Sequence, residues 1–134
     1  MDIVLAHDGG GESPFLIVPR DDLNQHQTVV RAGRFRTDIF VYSDDEQRGL
    51  VIIGRGLGDR WEMAVEVDPQ HRRPGVAPHL MLSGVARIPL GGLVFGRVAP
   101  GNVASIRAFL AAGFRPVAAE ILFLDQGSAP ISGR

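Results

Sequence analysis

The sequence predicts a mixed α/β (α+β) domain, in which helices pack against a single mixed β-sheet. Three observations predict this class: short β-rich runs fill the first half of the chain, the apolar period becomes helical from Ala77, and strands alternate with helices thereafter. With 134 residues, of which 45% are hydrophobic and 22% charged, the chain is long enough for one core. We predict a single domain over residues 1–124 and a disordered polar tail over residues 125–134.

Five strands and one helix are predicted before the change of period. The strands are Ile3–Ala6, Phe15–Val18, Asp38–Tyr42, Leu50–Gly54 and Trp61–Val67. A polar turn joins the third strand to the fourth, which favours a hairpin. Asp21 or Asp22 is suited to cap a helix that ends near Arg34, because Leu23 and Val30 have helical spacing.

Two helices and two strands are predicted after the change of period. Apolar residues at helical spacing extend from Ala77 to Ile88, and a strand follows over Leu93–Val98. The next helix is the best delimited, because Asn102 is a favoured N-cap and Gly113 is a favoured C-terminal stop. A last strand is predicted over Pro116–Leu124.

Charge and cysteine content exclude several classes of function. The formal net charge of −1 gives no general attraction to nucleic acid or to an anionic membrane. The absence of cysteine excludes disulfides, thiolate nucleophiles and cysteine-ligated metals. The histidines lack metal-ligand spacing, no apolar run is long enough to span a bilayer, and the N-terminus has no signal-peptide pattern. We therefore expect a cytoplasmic protein with no metal, and with neither nucleic acid nor membrane as a partner.

The segment after Trp61–Val67 has the pattern of an anion-binding loop. A glycine loop that joins a strand to a helix N-terminus directs main-chain N–H groups and the positive end of the helix dipole at one point. Gly75 allows a ligand to approach the backbone closely, and Arg72 and Arg73 can add charge-assisted contacts to a phosphate. An ordinary strand–helix connection with solvated arginines explains this loop equally well when it is considered alone.

Two motifs in this half of the chain resemble those of the GNAT N-acetyltransferase superfamily. Arg72-Arg73-Pro74-Gly75-Val76-Ala77 matches the Arg/Gln-x-x-Gly-x-Gly/Ala pyrophosphate loop of that family, and it follows a strand similar to the family's fourth. The segment from Asn102 to Phe114 is similar to the family's later helix, which begins at Asn and ends in Gly-Phe. The two motifs together are more specific than either alone, and the resemblance covers Asp38 to Leu124.

The resemblance implies a sheet that splays between Trp61–Val67 and Leu93–Val98, with the pantetheine arm of acetyl-CoA in the split. The main chain of the first of these strands, around Glu66, would hold the arm, and the glycine loop would hold the pyrophosphate. The implied cofactor-binding residues are Val65, Val67, Arg72, Arg73, Gly75, Val76, Ala77, Asn102 and Ser105. Asn102 is explained equally well as a plain helix N-cap.

The activity implied by the resemblance is direct transfer of an acetyl group from acetyl-CoA to a small-molecule or peptide amine. The main chain near Val67 would stabilise the oxyanion, and Glu62 or Glu66 would take the proton of the ammonium group. Both glutamates lie on one face of the strand, so simple alternation predicts that they face solvent. A strand that is covered on both faces would instead favour a functional acid.

Three features depart from the family pattern. Pro74 and Pro78 lack an N–H and so remove donors from the phosphate loop, and Phe109 stands where the family often has a tyrosine general acid. These changes favour the alternative of a non-catalytic CoA-binding or regulatory domain. The family's final strand is also missing, which leaves an open sheet edge beside Pro116–Leu124. We expect either Ile3–Ala6 or a partner subunit, in a homodimer, to cover that edge.

Overall fold

The computed structural model describes residues 1–34 and 36–120. In these ranges the chain forms seven β-strands, three α-helices and three short 3₁₀ turns. The strands are β1 (Asp2–Asp8), β2 (Ile17–Pro19), β3 (Thr37–Asp44), β4 (Gly49–Arg55), β5 (Trp61–Val67), β6 (Leu93–Val98) and β7 (Arg115–Glu120). The α-helices are α1 (Gln27–Ala32), α2 (Val76–Val85) and α3 (Val103–Ala111). None of these described helices is long and apolar enough to cross a membrane.

All seven strands belong to one sheet, in the order β2-β3-β4-β5-β6-β1-β7. Neighbouring strands are antiparallel except for β5 and β6, which run parallel and are connected through α2. The predicted mixed α/β class is therefore confirmed, and β3 and β4 form the predicted hairpin. The bounds of β5 and β6 coincide with the predicted ones.

Helices cover both faces of the sheet. The face under α2 and α3 holds the larger buried cluster, which includes Leu5, Val51, Met63, Leu80, Val85 and Val94. Gly84 allows α2 to lie close to this face, since a Cβ there would come within 2.6 Å of Met63 Cε and Val51 Cγ1. The opposite face holds a smaller cluster under α1, formed by Val29, Ala32, Val41 and Ile52. β4 is thus buried on both sides along nearly its whole length, whereas the second half of β5 is only partly buried.

The N-terminal strand lies inside the sheet. β1 pairs antiparallel with β6 on one side and with β7 on the other. Its residues Val4, Leu5 and Ala6 are buried, so this strand is part of the core. The expectation that Ile3–Ala6 covers the edge of the last strand is confirmed. The homodimer, which would have supplied the alternative cover, stays a prediction.

The first predicted helix is wrong in its extent. Instead of one helix capped by Asp21 or Asp22, the chain forms a 3₁₀ turn over Asp21–Leu23 and then the short helix α1. The Asp22 carboxylate binds the Arg20 guanidinium through two hydrogen bonds of 2.8 Å, so it caps no helix. His26 caps α1 instead, because its Nδ1 accepts a main-chain N–H of the first turn at 3.2 Å.

The end of α3 is as predicted. Gly113 has a φ of 92°, which favours glycine. The N–H of Gly113 donates to the Leu110 carbonyl and that of Phe114 donates to the Phe109 carbonyl, each at 3.0 Å. These two bonds and the contact between the phenylalanine rings form a glycine C-cap. The last predicted strand corresponds to β7, whereas its residues 121–124 and the predicted tail, residues 125–134, lie outside the described ranges.

Candidate functional site

β5 and β6 are paired at one end only. Cross-strand pairs join Trp61 to Val94 and Glu62 to Phe95, and no further pair follows along the described strands. The predicted splay between these two parallel strands is therefore present. It leaves the second half of β5 unpaired on the side that faces β6.

This unpaired half of β5 directs main-chain groups into the split. The N–H of Asp68 donates to the Arg48 carbonyl at 2.7 Å, so the main chain of Asp68 faces the β4 side. Because main-chain groups alternate in direction along a strand, the N–H and C=O groups of Val65 and Val67 face the split. The Val67 carbonyl accepts a hydrogen bond from Arg72 Nε at 3.3 Å. The other groups can bond to an extended ligand.

The loop after β5 ends in a left-handed glycine at the N-terminus of α2. Gly75 is the N-cap of the helix and has a φ of 91°. The N–H groups of Gly75 and Ala77 make no hydrogen bond within the described residues, so both are available to an anion. The N–H of Val76 donates to the Arg73 carbonyl at 3.2 Å, and the two prolines of the segment supply no donor. The loop therefore offers two main-chain donors at the positive end of the α2 dipole.

A cavity of about 780 Å³ extends along the split, between this loop and α3. We call it the donor cavity. The predicted residues that line it are Val65, Glu66, Val67, Arg72, Arg73, Ala77, Asn102 and Ser105. Gly75 and Val76 form the turn just before Ala77, and the side chain of Val76 is buried in the core. The structure thus brings seven of the nine predicted cofactor-binding residues, together with Glu66, to one cavity.

Two polar residues of α3 and its cap contribute to the donor cavity. Asn102 Oδ1 accepts the N–H of Ser105 at 3.2 Å, so its N-capping role is confirmed. Arg107 also lines the cavity and was missed by the sequence reasoning. Its signal is its position three residues after Ala104, on the same face of the helix. With Arg72 and Arg73 it places three guanidinium groups around a cavity that holds one carboxylate, which suits a polyanionic ligand.

A second cavity, of about 460 Å³, lies on the opposite face of the sheet, and we call it the acceptor cavity. Its floor contains a row of paired residues, Ser43 on β3, Leu50 on β4 and Glu66 on β5. Leu23 and His26, from the segment that leads into α1, line it from above the sheet. The residues that line both cavities are Glu66, Val67 and Arg72. The two cavities therefore meet at the end of β5.

Glu66 presents a carboxylate at this junction, with 42% of its side chain exposed. Its Oε2 accepts the hydroxyl of Thr28 at 2.9 Å, and its Oε1 lies 3.5 Å from His26 Nε2. His26 Nδ1 accepts the N–H of Thr28, so Nε2 is the ring nitrogen that carries a proton and faces Glu66. The carboxylate thus accepts one hydrogen bond from a hydroxyl and lies within ion-pair distance of an imidazole. Thr28 and His26 belong to no sequence motif. Their contacts with Glu66 become visible only in the folded structure, where α1 and its N-cap lie against the sheet.

Glu62 lies at the closed end of the split and lines neither cavity. Its side chain is 3% exposed, and the carboxylate accepts from Arg36 Nε at 3.1 Å and from Arg60 Nε at 2.8 Å. A third bond comes from the N–H of Leu57 at 3.3 Å. A buried carboxylate between two guanidinium groups is a structural ion pair. Simple alternation, with both glutamates facing solvent, is therefore wrong for Glu62.

Phe109 and Tyr42 also lie outside both cavities. The Phe109 ring is buried and packs edge-on against Phe114, with ring centroids 4.8 Å apart. Tyr42 lies on β3, where the Arg87 guanidinium is 4.9 Å from its ring centroid. Phe109 therefore serves packing, and neither aromatic residue is placed to protonate a leaving thiolate.

The arrangement combines an anion-binding loop, an open strand edge and one carboxylate between two cavities. Within the described ranges, no group of three or more His, Asp or Glu side chains is placed to hold a metal ion. A sheet that splays between two parallel central strands beside a glycine loop is the architecture that the GNAT resemblance implies. The fold is thus the GNAT fold.

A solved structure has the same fold. The chain is similar to a crystal structure from Novosphingobium aromaticivorans, assigned as an acetyltransferase of the GNAT family, with a TM-score of 0.55 and 18% sequence identity. The match covers 87% of this chain and 60% of the other, so this chain spans only part of the length of the protein it matches. At this identity the likeness shows the fold. No family model and no curated protein matches the sequence.

Proposed function

We propose that the protein is an acetyl-CoA-dependent N-acetyltransferase that transfers an acetyl group directly to an amine. The observation that carries this proposal is the position of Glu66, whose half-exposed carboxylate stands where the donor and acceptor cavities meet. A carboxylate at such a junction can serve a reaction between a ligand in one cavity and a ligand in the other. The GNAT fold supports an acyl-CoA as the ligand of the donor cavity.

The donor cavity is the proposed site of acetyl-CoA. The two available N–H groups of the glycine loop, together with Arg72 and Arg73, would bind the pyrophosphate. The strand edge formed by Val65 and Val67 would bond to the amide groups of the pantetheine arm. Arg107 provides a further cation for a phosphate group.

Glu66 is the proposed general base. Its carboxylate takes a proton from the ammonium group, directly or through water, and the freed amine attacks the thioester carbon. The N–H of Val67, which faces the split, stabilises the oxyanion. The C–S bond then breaks, the attacking nitrogen releases its second proton to water, and the thiolate takes a proton from water, since Phe109 and Tyr42 line neither cavity. A thiol with a pKa of about 8.5 leaves as a tolerably stable anion, so the reaction proceeds without a protein acid.

Donor binding is tested with the variant Gly75→Glu. We expect micromolar binding of acetyl-CoA by the wild type and its loss in the variant, because the new side chain fills the loop and adds a negative charge. Gly91→Glu is the matched control, since Gly91 has nearly the same φ, 90°, and lies outside the donor cavity. Unchanged binding in Gly75→Glu, measured by calorimetry, would place acetyl-CoA elsewhere.

The role of the base is tested with Glu66→Gln. The variant should bind acetyl-CoA as the wild type does and should lose roughly 100-fold in kcat, the usual contribution of a general base. Glu46→Gln is the control, since Glu46 lies in an exposed turn with 69% of its side chain accessible. Full turnover of Glu66→Gln with an amine across neutral pH would remove Glu66 from the mechanism.

A non-catalytic CoA-binding or regulatory domain is the second candidate, and the burial of Phe109 favours it. This residue replaces the family's usual tyrosine acid, and its ring lies in the core rather than at the cavity. Both candidates predict binding of CoA. A steady-state assay for CoA release from acetyl-CoA, run with a panel of amines, distinguishes them, because only the enzyme releases CoA in proportion to the amine.

A further inference from the structure

We propose, as an extension that rests on the proposed function, that the acceptor is a small bipolar amine. Its ammonium group would lie at Glu66, and a carboxylate at its other end would lie at Arg20, with an apolar chain between the two. Three features of the acceptor cavity, of about 460 Å³, support this proposal: the register of the sheet beneath it, the fixed guanidinium of Arg20, and the apolar Leu50 between the two ends.

The register of the sheet sets the distance between the two ends. Ser43 pairs with Leu50 and Leu50 pairs with Glu66, so the three side chains form a row on one face of β3, β4 and β5. Adjacent strands lie about 4.8 Å apart, so β3 and β5 are roughly 10 Å apart along this row. The Arg20 guanidinium is fixed at the far end, where its Nη1 donates to Ser43 Oγ at 3.1 Å.

Arg20 is held in place and keeps donors for a ligand. Its Nε and Nη2 each donate to the Asp22 carboxylate at 2.8 Å, while Nη1 bonds to Ser43. Of the five N–H groups of a guanidinium, two remain, one on each terminal nitrogen. Arg20 lines the acceptor cavity, so these donors can bond to a carboxylate there.

The end of the acceptor cavity at Glu66 carries a negative charge, and the middle of the cavity is apolar. Glu66 accepts a hydrogen bond from the Thr28 hydroxyl and, within the described residues, pairs with no arginine, so its negative charge can attract an ammonium group. Leu50 lies between the two ends on the floor, and Leu23 lines the cavity above the sheet. The part of the ligand that connects its charged ends should therefore be apolar.

Arg72 is the other guanidinium on this cavity, and it lies at the near end. Its Nε donates to the Val67 carbonyl at 3.3 Å, next to Glu66, and it also lines the donor cavity. The rim carboxylate of Asp68 accepts the N–H of Gln70 at 2.9 Å and caps a 3₁₀ turn. Arg72 is therefore placed to bind acetyl-CoA in the donor cavity. Arg20 is then the guanidinium that can bind the carboxylate at the far end of the acceptor.

Calorimetry with glycine, 4-aminobutanoate, 6-aminohexanoate and pentylamine tests the proposal, in the presence and absence of CoA. We expect 6-aminohexanoate to bind at least about tenfold more tightly than pentylamine, which has the same chain without the carboxylate. It should also bind more tightly than glycine, which is too short to reach both ends. Arg20→Gln should abolish this advantage and leave pentylamine unaffected. Arg31→Gln, which removes an exposed arginine of α1 outside the cavity, should change neither.

The two proposals fail in different ways. Absence of CoA binding contradicts the proposed function. In that case the amine affinities measured without CoA still test the bipolar acceptor. Failure of 6-aminohexanoate to bind, equal affinity for pentylamine, or an advantage that survives Arg20→Gln overturns the bipolar acceptor.

Discussion

Glu62 and Glu66 share one face of β5, yet their partners give them opposite roles. The buried carboxylate of Glu62 is neutralised by Arg36 and Arg60, and loss of both guanidinium groups would leave an uncompensated charge in the core. Glu66, four residues further along β5, accepts a hydrogen bond from a hydroxyl, lies near an imidazole and lines both cavities. Within the described residues Glu66 forms no ion pair with an arginine, which fits its proposed role as the general base.

Asp44 is a second buried carboxylate, in the turn of the β3–β4 hairpin. It accepts hydrogen bonds from Arg48 Nε at 2.7 Å and from the N–H groups of Arg48 and Gly49 at 2.8 and 3.2 Å. Burial alone raises the pKa of Asp44, but these bonds outweigh burial and hold the pKa below its ordinary value. The ionised carboxylate therefore stabilises the fold above the unfolded-state pKa of about 3.9, and this contribution is lost as the pH falls through the lower folded-state pKa.

Replacement of Asp44 tests this assignment. Asp44→Asn should lower the free energy of unfolding at neutral pH by about 2–3 kcal/mol, because Arg48 loses its buried partner. Urea denaturation from about pH 3 to pH 7 should show a smaller loss of stability towards acid in the variant, which lacks this carboxylate. Asp45→Asn, at the exposed neighbouring position, should change stability little. Equal stability of Asp44→Asn and wild type at neutral pH would contradict the assignment.

α3 packs on β6 through one ring and one glycine. The Phe109 ring lies over Gly96, where a Cβ would come within 2.5 Å of the ring carbon Cζ. Phe109 is also in contact with Phe114, which follows the glycine C-cap of the helix. The approach of helix and strand therefore depends on the missing side chain at Gly96.

Gly96→Ala should destabilise the protein by about 1–3 kcal/mol through overpacking against the Phe109 ring. Phe109→Leu should destabilise it alone by loss of contacts, and the double variant should recover at least about 1 kcal/mol relative to additive effects. Gly101→Ala is the control, because nothing lies within 4 Å of a Cβ at that site. Strict additivity in urea denaturation would mean that the ring and the glycine do not limit the approach of α3.

The elements differ in how far they could be predicted from local residues. α3 was predictable because its stop signals, Asn102 and Gly113, act on neighbouring main-chain groups. α1 was not predictable, because the Asp22 carboxylate binds Arg20 and the helix is capped by His26 instead. The donor cavity follows from one strand–loop–helix segment and one later helix. The floor of the acceptor cavity could not be predicted, because the sheet register, rather than sequence proximity, brings Ser43, Leu50 and Glu66 together.

The N-terminal strand β1 connects β7 to the rest of the sheet. β1 runs antiparallel to both β6 and β7. A strand that followed β7 through a hairpin would also run antiparallel to β7 and could occupy this same place. β1 thus occupies the place that a strand following β7 through a hairpin would take, although it comes first along the chain. The loop that follows β1 is exposed at residues 11–14, so the connection there is not part of the core.

A circular permutant tests this equivalence. The permuted chain would begin at Phe15 and carry residues 1–14 after Arg134, through a flexible Gly/Ser linker of about ten residues. We expect it to unfold cooperatively and to bind acetyl-CoA as the wild type does, because every strand keeps its partners. Deletion of residues 1–14 should instead abolish cooperative unfolding, since β1 supplies buried Val4, Leu5 and Ala6 and pairs with two strands. If the deletion variant is as stable as the wild type, β1 is dispensable. If the permutant fails to fold while a peptide of residues 1–14 added to the deletion variant restores the fold, the place of β1 is correct, and the order of its connection is what the fold requires.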